Sequence, residues 1–344
     1  MKPKAIDVFA GCGGLTTGLK KAGFVVIGGV EIDKAASDVY RLNHPKVQLW
    51  EEDILGLSAK RIKTKLGLRS GELDLLAGCP PCQGFSRVTT LNGGYTISDE
   101  RNDLVFEFMR LVKDLKPKAI MLENVPGLAD DGRFKKFTKQ LSALGYKFDF
   151  KILDVADYAV PQRRKRLILL AGRSRSIGFG NPARGRKTVL DAIGNLPSAG
   201  SSGDPIHDLP ENRSRKIQRL IAMVPKNGGS RTDLPKKHRL ECHKRCDGFK
   251  DVYGRMRWDD VAPTLTTGCF NPSKGRFLHP DENRAITMRE AALLQTFPPR
   301  YKFPAKLGKV AIAMQIGNAL PPEFVRRHAL AVRRHLEMVA DESE

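Results

Sequence analysis

Short apolar runs alternate with helical spacings through the first 172 residues. Runs at 5–9, 25–31, 47–50, 73–77 and 119–123 have the length and near-continuous apolarity of strands covered on both faces, which predicts a parallel sheet. Between them, apolar positions recur at helical spacing over 15–22, 34–42, 102–115 and 134–144. Two further runs, 146–154 and 166–171, follow one another without an intervening helical stretch, so they are expected to close the sheet as an antiparallel pair. Seven strands in this order predict a doubly wound α/β nucleotide-binding sheet.

From Arg173 the texture changes to Gly, Pro, Ser and basic residues with little periodicity, as in Ser198-Ala199-Gly200-Ser201-Ser202-Gly203, and predicts a smaller, loop-rich second domain. Helical spacing returns at 287–296 and at 323–339, the latter a basic amphipathic stretch. There is no internal repeat and no long low-complexity segment.

The chain has 344 residues and a net charge of +21. Residues 173–257 hold 19 basic and 8 acidic residues, a net +11, so about half the excess sits in a quarter of the length. A region of this kind suits a polyphosphate backbone, because bound Lys and Arg release condensed counterions; a merely solvated basic surface is the plain alternative. No apolar stretch is long enough for a membrane helix and no signal peptide precedes the first strand, so a cytosolic location is expected. Six unevenly spaced cysteines in such a chain are expected to be reduced thiols.

The candidate chemistry gathers at strand ends. After the first strand, Phe9-Ala10-Gly11-Cys12-Gly13-Gly14-Leu15 is a Gly-rich turn opening a helix, where backbone can approach a cofactor closely, although such turns also serve packing alone. Glu31, about 20 residues on, is placed to accept ribose hydroxyls. Asp53, beyond the third strand, is placed to accept from an adenine amino group; a solvated turn acid is the alternative for each. After the fourth strand, Gly78-Cys79-Pro80-Pro81-Cys82-Gln83-Gly84-Phe85-Ser86 presents a thiol on a stiff turn, since two prolines fix φ and remove two donors. The Cys79-x-x-Cys82 spacing also fits a redox pair, but a cofactor turn and several strands precede it. A zinc site built on Cys12, Cys79 and Cys82 lacks a fourth ligand, and the cluster His238, Cys242, His243 and Cys246 is read as loop packing or a contact to the polyphosphate partner, so no metal is expected. Glu123-Asn124-Val125-Pro126 and Pro161-Gln162-Arg163-Arg164-Lys165-Arg166 follow at further strand ends. A thiol, a carboxylic acid and guanidinium groups there can hold and activate a heteroaromatic ring.

Together these residues resemble the DNA (cytosine-5) methyltransferases of bacterial restriction-modification systems, in order and over nearly the full length. Residues 7–14 resemble the family's cofactor loop, Glu31 its ribose acid, Asp53-Ile54 its adenine contact, and 78–86 its Pro-Cys-Gln loop, which makes Cys82 the nucleophile and not Cys79. Glu123-Asn124-Val125 and Gln162-x-Arg164-x-Arg166 match two further family elements, 284–298 resembles the helix supporting target recognition, and Gln315-Ile316-Gly317-Asn318-Ala319-Leu320-Pro321 the element that completes the cofactor pocket.

The resemblance implies a mostly parallel, seven-stranded, Rossmann-like S-adenosylmethionine-dependent methyltransferase domain over 1–172, completed by 309–344, and a target-recognition domain over 173–308. It implies S-adenosyl-L-methionine as cofactor, held by Phe9, Gly11, Cys12, Gly13, Gly14, Leu15, Glu31, Ile32, Asp53, Ile54, Pro80, Asn318 and Ala319. Cys82, Glu123, Arg164 and Arg166 are the implied catalytic residues, and Gln83, Ser86, Asn124 and Gln162 the implied substrate contacts. In the implied reaction a cytosine is flipped out of double-stranded DNA, Cys82 adds to C6, Glu123 holds N3 and the exocyclic amine, Arg166 and Arg164 hold O2 and a phosphate, and C5 takes the methyl group to give 5-methylcytosine. Residues 83–102 would close over the base. A cognate restriction endonuclease is a candidate partner, a monomer is the expected state, and association with the nucleoid is the expected location. The same chemistry on transfer RNA, or a silent DNA-binding protein on this fold, are the competing readings.

Overall fold

Each strand-like run lies in one sheet. The computed structural model describes residues 2–81, 103–244, 248 and 250–342. The strands are β1 (Lys4–Val8), β2 (Val25–Glu31), β3 (Gln48–Glu51), β4 (Leu75–Gly78), β5 (Ala119–Asn124), β6 (Lys147–Asp154) and β7 (Lys165–Gly172), in the spatial order β3-β2-β1-β4-β5-β7-β6. Strands β1 to β5 pair in parallel, and β7 runs antiparallel to both β5 and β6. The closing antiparallel pair is therefore as expected, with the last strand inserted between β5 and β6. That insertion has a chemical consequence: the start of β7 meets the end of β5, with Glu123 opposite Ile168 and Asn124 opposite Leu167.

Helices α1 (Gly14–Lys21), α2 (Lys34–Asn43), α3 (Ala59–Leu66), α4 (Leu104–Leu115) and α5 (Gly132–Ala143) cover the sheet. Asp33, Ser58 and Asp131 start α2, α3 and α5 by accepting backbone N–H bonds from Ala36, Arg61 and Arg133. Helix α3 has no counterpart in the periodicity reading, because only Ala59 and Ile62 in it are buried and four of its eight residues are basic. Ile6, Val8, Leu76, Ile120, Leu122 and Leu169 form one core with Phe108, Met109 and Val112 of α4 and Phe134 and Phe137 of α5. Full burial of each such side chain contributes about 1.5–3 kcal/mol.

The chain divides into two compact units, the first of residues 1–158, 165–182 and 320–344, the second of 159–164 and 183–319. The second contains α6 (Val189–Ile193), α7 (Arg215–Met223), the one-turn α8 (Glu241–Lys244), α9 (Met288–Leu294) and α10 (Gly308–Asn318), joined by long loops and isolated bridges. Thr287 and Glu290 form a capping box at the start of α9. Leu220, Ile221, Val224, Leu234, Tyr253 and Leu278 make a small core there. Beside it the fully buried Arg255 donates to the carbonyls of Val224, Ile221, His279 and Glu282 and to Asn283 Oδ1, at 2.5–3.0 Å. Arg255→Met should destabilise this unit by about 3 kcal/mol, since it orphans several buried carbonyls at once. Trp258 lies in this unit and Trp50 in the other, so denaturation of a Trp50→Phe background followed by Trp258 fluorescence reports it; a shift below 1 kcal/mol (order of magnitude) would refute the role.

The chain ends in α11 (Pro322–Asp341), which packs on α1 in the first unit. Gly18 permits the approach: a Cβ there would lie 2.4 Å from Val325 Cβ and 2.6 Å from the Pro322 carbonyl. Among the described residues no helix is long and apolar enough to cross a membrane.

Candidate active site

Parallel strands deliver their C-terminal ends to one edge, and in the first unit that edge carries the predicted residues. After β1 the backbone turns through positive φ at Phe9 (63°), Gly11 (53°) and Gly13 (93°) before α1 begins. A Cβ on Gly11 would meet nothing within 4 Å, so the turn borders open space. Gly11 N–H donates to Glu31 Oε2 at 2.7 Å, and Asp33 N–H to Glu31 Oε1 at 2.8 Å. Each carboxylate oxygen keeps a second acceptor direction, and two hydroxyls on adjacent carbons fit that arrangement. Burial raises the Glu31 carboxyl above its ordinary range, against the lowering effect of these backbone bonds.

Next to Glu31, Ile32 is 65% exposed, and beyond the neighbouring strand Leu55 is 64% exposed, while Ile54 is buried. The apolar surface offered beside exposed Asp53 is thus that of Ile32 and Leu55, while the Ile54 side chain is turned inward. Leu55 was not singled out from the sequence, where one leucine after Asp53-Ile54 carries no signal of exposure. This edge fits an adenosine-type group: acceptors for a ribose, apolar side chains for a purine, and room at the Gly-rich turn. Cys12 and Leu15 are buried, and burial pushes the Cys12 thiol up to about 12, so Cys12 is a neutral packing group whose backbone alone can face a ligand.

Behind the turn, fully buried Asp7 accepts from Thr16 Oγ1 at 2.6 Å, and Thr16 shares a 2.8 Å bond with Tyr40. Burial raises the Asp7 carboxyl to about 7 from its ordinary 3.8. The folded protein therefore binds this proton more tightly than the unfolded chain, and the associated stability, full below pH 3.8, is lost as pH rises towards 7. Relative to Asp7→Asn, the wild type should lose several kcal/mol, by order of magnitude, over that window; denaturation followed by Trp50 that shows a pH-independent difference would refute this.

At β4 and β5 the geometry tightens. Asn124, buried, donates from Nδ2 to the Pro80 carbonyl at 3.0 Å, and its Oδ1 accepts from Val125 N–H at 2.8 Å. Glu123, only 8% exposed, receives Arg166 Nε at 2.8 Å. Arg166 also donates to the Lys165 carbonyl. Cys79 lies against the same carboxylate, and burial with the negative charge of Glu123 pushes its thiol well above the ordinary range. Cys79 is therefore held as a neutral thiol. Cys82, Gln83 and Ser86 lie outside the described residues.

The remaining predicted residues belong to the second unit. Gln162 is fully buried: its Nε2 donates to Gln295 Oε1 at 2.8 Å and its Oε1 accepts from Leu265 N–H at 2.9 Å. Arg164, also buried, donates to the carbonyls of Leu265 (2.9 Å) and Gly317 (2.8 Å). These side chains hold the second unit together, a use that their place in a Gln-x-Arg-x-Arg pattern did not suggest. Asn318, exposed, ends α10, and Ala319 N–H caps that helix on Gln315.

Many arginines of the basic region are likewise turned inward. Besides Arg255, Arg231 donates to the Gly248 carbonyl, Arg239 to those of Leu234 and Thr232, and Arg213 to that of Phe270. Arg184, Arg186, Lys187, Arg215, Lys216, Arg219, Lys226, Lys236, Lys237, Lys250 and Arg257 are exposed, so the charge available to a polyanion in the second unit is spread over several segments, α7 and the loop after it among them. His238 and Cys242 are exposed, Cys246 lies outside the described residues, and among the described residues no three His, Cys, Asp or Glu side chains are grouped to hold a metal.

The chain is 36% identical to the type II methylase M.HgiDII of Herpetosiphon aurantiacus, over 96% of this chain and 95% of that one. It is also 36% identical to the type II methyltransferase M1.HphI of Haemophilus parahaemolyticus, over 95% and 86%. The solved structure of a protein encoded within an E. coli prophage superposes with a TM-score of 0.74 at 25% identity, over 97% of this chain and 99% of that one. The S. pombe Dnmt2 methyltransferase shares the fold, with a TM-score of 0.62 at 19% identity over 98% and 99%. The sequence pattern of the C-5 cytosine-specific DNA methylases matches residues 3–334. With the ordered strand-end motifs and the relatives' agreement over almost the whole chain, the protein belongs to the C-5 cytosine-specific DNA methylase family, enzymes that methylate carbon 5 of cytosine in DNA.

Proposed function

We propose that this chain takes S-adenosyl-L-methionine at the β1–β3 edge and methylates C5 of a cytosine flipped out of double-stranded DNA, within one short recurring sequence. The observation that carries the site assignment is the coupling at the end of β5: Asn124 holds the Pro80 carbonyl two residues before Cys82, while the adjacent Glu123 is held by Arg166. The thiol-bearing turn and the acid are thereby tied to consecutive residues of one strand.

Cytosine C5 is a poor nucleophile. Addition of the Cys82 thiolate at C6 moves the ring's electron pair to C5, and Glu123, protonated or sharing a proton with the ring, donates at N3 and accepts from the exocyclic amine so that negative charge does not accumulate on the ring. Arg166 keeps that carboxylate oriented. Bound S-adenosyl-L-methionine supplies an electrophilic methyl group to this carbon. The C5 proton is then lost to water, its electron pair restores the C5–C6 double bond, and the C6–sulfur bond breaks to release Cys82 as the thiolate. Glu31 and Asp53 would hold the ribose hydroxyls and the adenine amine, with Ile32 and Leu55 against the purine. Flipping the base costs about a few kcal/mol, and phosphate contacts from the exposed cations of the second unit offset it. The protein acts as a monomer in the cytoplasm, alongside a cognate endonuclease.

Methyl transfer from labelled S-adenosylmethionine to plasmid DNA and to transfer RNA, with base-resolution mapping of 5-methylcytosine, tests this reading. Label at one recurring DNA sequence is expected; label in RNA alone, or in neither, would overturn it. DNA affinity should also fall by about three orders of magnitude between 50 and 200 mM salt if six or more phosphates are neutralised. A flat response in a binding titration would exclude a phosphate-dominated interface.

A further inference from the structure

Arg110 lies on α4, at a position that no motif of the sequence marks. Its side chain, 32% exposed, donates from Nη2 to the Ile54 carbonyl at 2.7 Å and from Nη1 to the Leu57 carbonyl at 3.1 Å, while Nε donates to Glu107 Oε2 at 2.7 Å. Those carbonyls belong to the short turn after β3. In it Asp53 caps its own backbone through Leu55 N–H at 3.0 Å, Ile54 and Leu57 are buried, and Leu55 points outward. The turn has two further local bonds, Gly56 N–H to the Asp53 carbonyl and Leu57 N–H to the Ile54 carbonyl.

We infer that Arg110 is a positioning residue for cofactor binding, fixing the Asp53–Leu57 turn so that the Asp53 carboxylate and the Leu55 side chain stand ready at the pocket rim. The inference rests on the assignment of that rim to the adenosine portion of S-adenosylmethionine. A three-residue 3-10 turn with an exposed apolar residue at its centre is weakly held by its own bonds, and order imposed before binding lowers the entropic cost of binding. Arginine suits the task. Its planar fork offers one edge to a carboxylate and two nitrogens to two carbonyls at once, which a lysine ammonium on a flexible stem does not reproduce. Glu107, one turn earlier on the same helix face, orients the guanidinium and offsets its charge.

The test uses the full-length protein and S-adenosylhomocysteine as probe, titrated by calorimetry without DNA. Arg110→Met should weaken binding about tenfold, raise the KM for S-adenosylmethionine to a similar extent, and leave kcat at saturating cofactor and the KM for DNA near wild type. Its Tm without cofactor should stay close to that of the wild type, while the rise in Tm on adding S-adenosylhomocysteine shrinks. Arg110→Lys, which keeps the charge and loses the fork, should fall between the two and serves as the deciding variant where the methionine form does not fold. Unchanged affinity in a folded variant, or a fall in kcat with constant KM, would overturn the role of Arg110. Asp53→Ala is the control for the underlying assignment. Wild-type protein that binds no S-adenosylhomocysteine, or Asp53→Ala protein that binds it normally, would instead overturn the placement of the adenosine.

Discussion

Cys82→Ala protein is expected to transfer no methyl group, with kcat at least about 10⁴-fold below wild type, while still binding DNA and S-adenosylhomocysteine at near-normal affinity. Without a thiolate at C6 there is no route for electron density to C5. Cys79, three residues earlier, is held neutral by burial and by the Glu123 carboxylate beside it. Cys79→Ala should therefore retain activity within a few-fold of wild type. Single-turnover methylation with labelled cofactor measures both variants; full turnover by the Cys82 variant would refute the covalent mechanism, and a loss confined to the Cys79 variant would exchange the two roles.

Glu123→Gln is expected to lower kcat by about two to four orders of magnitude, the usual range for removal of a general acid-base group, with affinities for DNA and cofactor retained. The glutamine can still hydrogen-bond but cannot exchange a proton with the ring. Arg166→Met should give a smaller fall, because Arg166 acts through Glu123: the acid keeps its place at the end of β5 but loses the 2.8 Å bond that orients it. The double variant should be little worse than Glu123→Gln alone, as expected for residues acting as one unit. Rate losses that multiply would show that Arg166 touches the substrate independently of Glu123.

Much of this site is legible in the linear chain because parallel α/β sheets place their functional groups at strand ends, and strand ends follow from apolar runs. The Gly-rich turn after β1, Glu31 at the end of β2, Asp53 after β3, Cys79-Pro80-Pro81 after β4 and Glu123 in β5 all stand where that rule places them. The second unit reads less well. Helix α7 has apolar residues at 217, 220 and 221 in correct helical spacing, but it is only nine residues long and lies in basic, Gly- and Ser-rich sequence that masks the pattern. Helix α10 has apolar residues on all sides, with Val310 and Met314 exposed, so its periodicity is weak.

What the sequence by itself determined is the fold class and the order of the motifs along the chain, each at a strand end, and these rest on local patterns: runs, spacings and residue types within a few positions of one another. The family, and with it Cys82 and Glu123 as the pair to test, came from the resemblance those motifs carry. Only the tertiary structure decided how the charged side chains are used. It put Arg166 beside Glu123 by inserting β7 against β5, turned Arg164 and Arg255 inward onto backbone carbonyls, left Lys216 and Arg219 exposed, and brought Arg110 to a turn more than 50 residues earlier. The physical reason is that a guanidinium can donate to a carboxylate, a phosphate or any backbone carbonyl, and every residue carries a carbonyl. No residue type marks the partner in advance, so the choice appears only once the chain has folded.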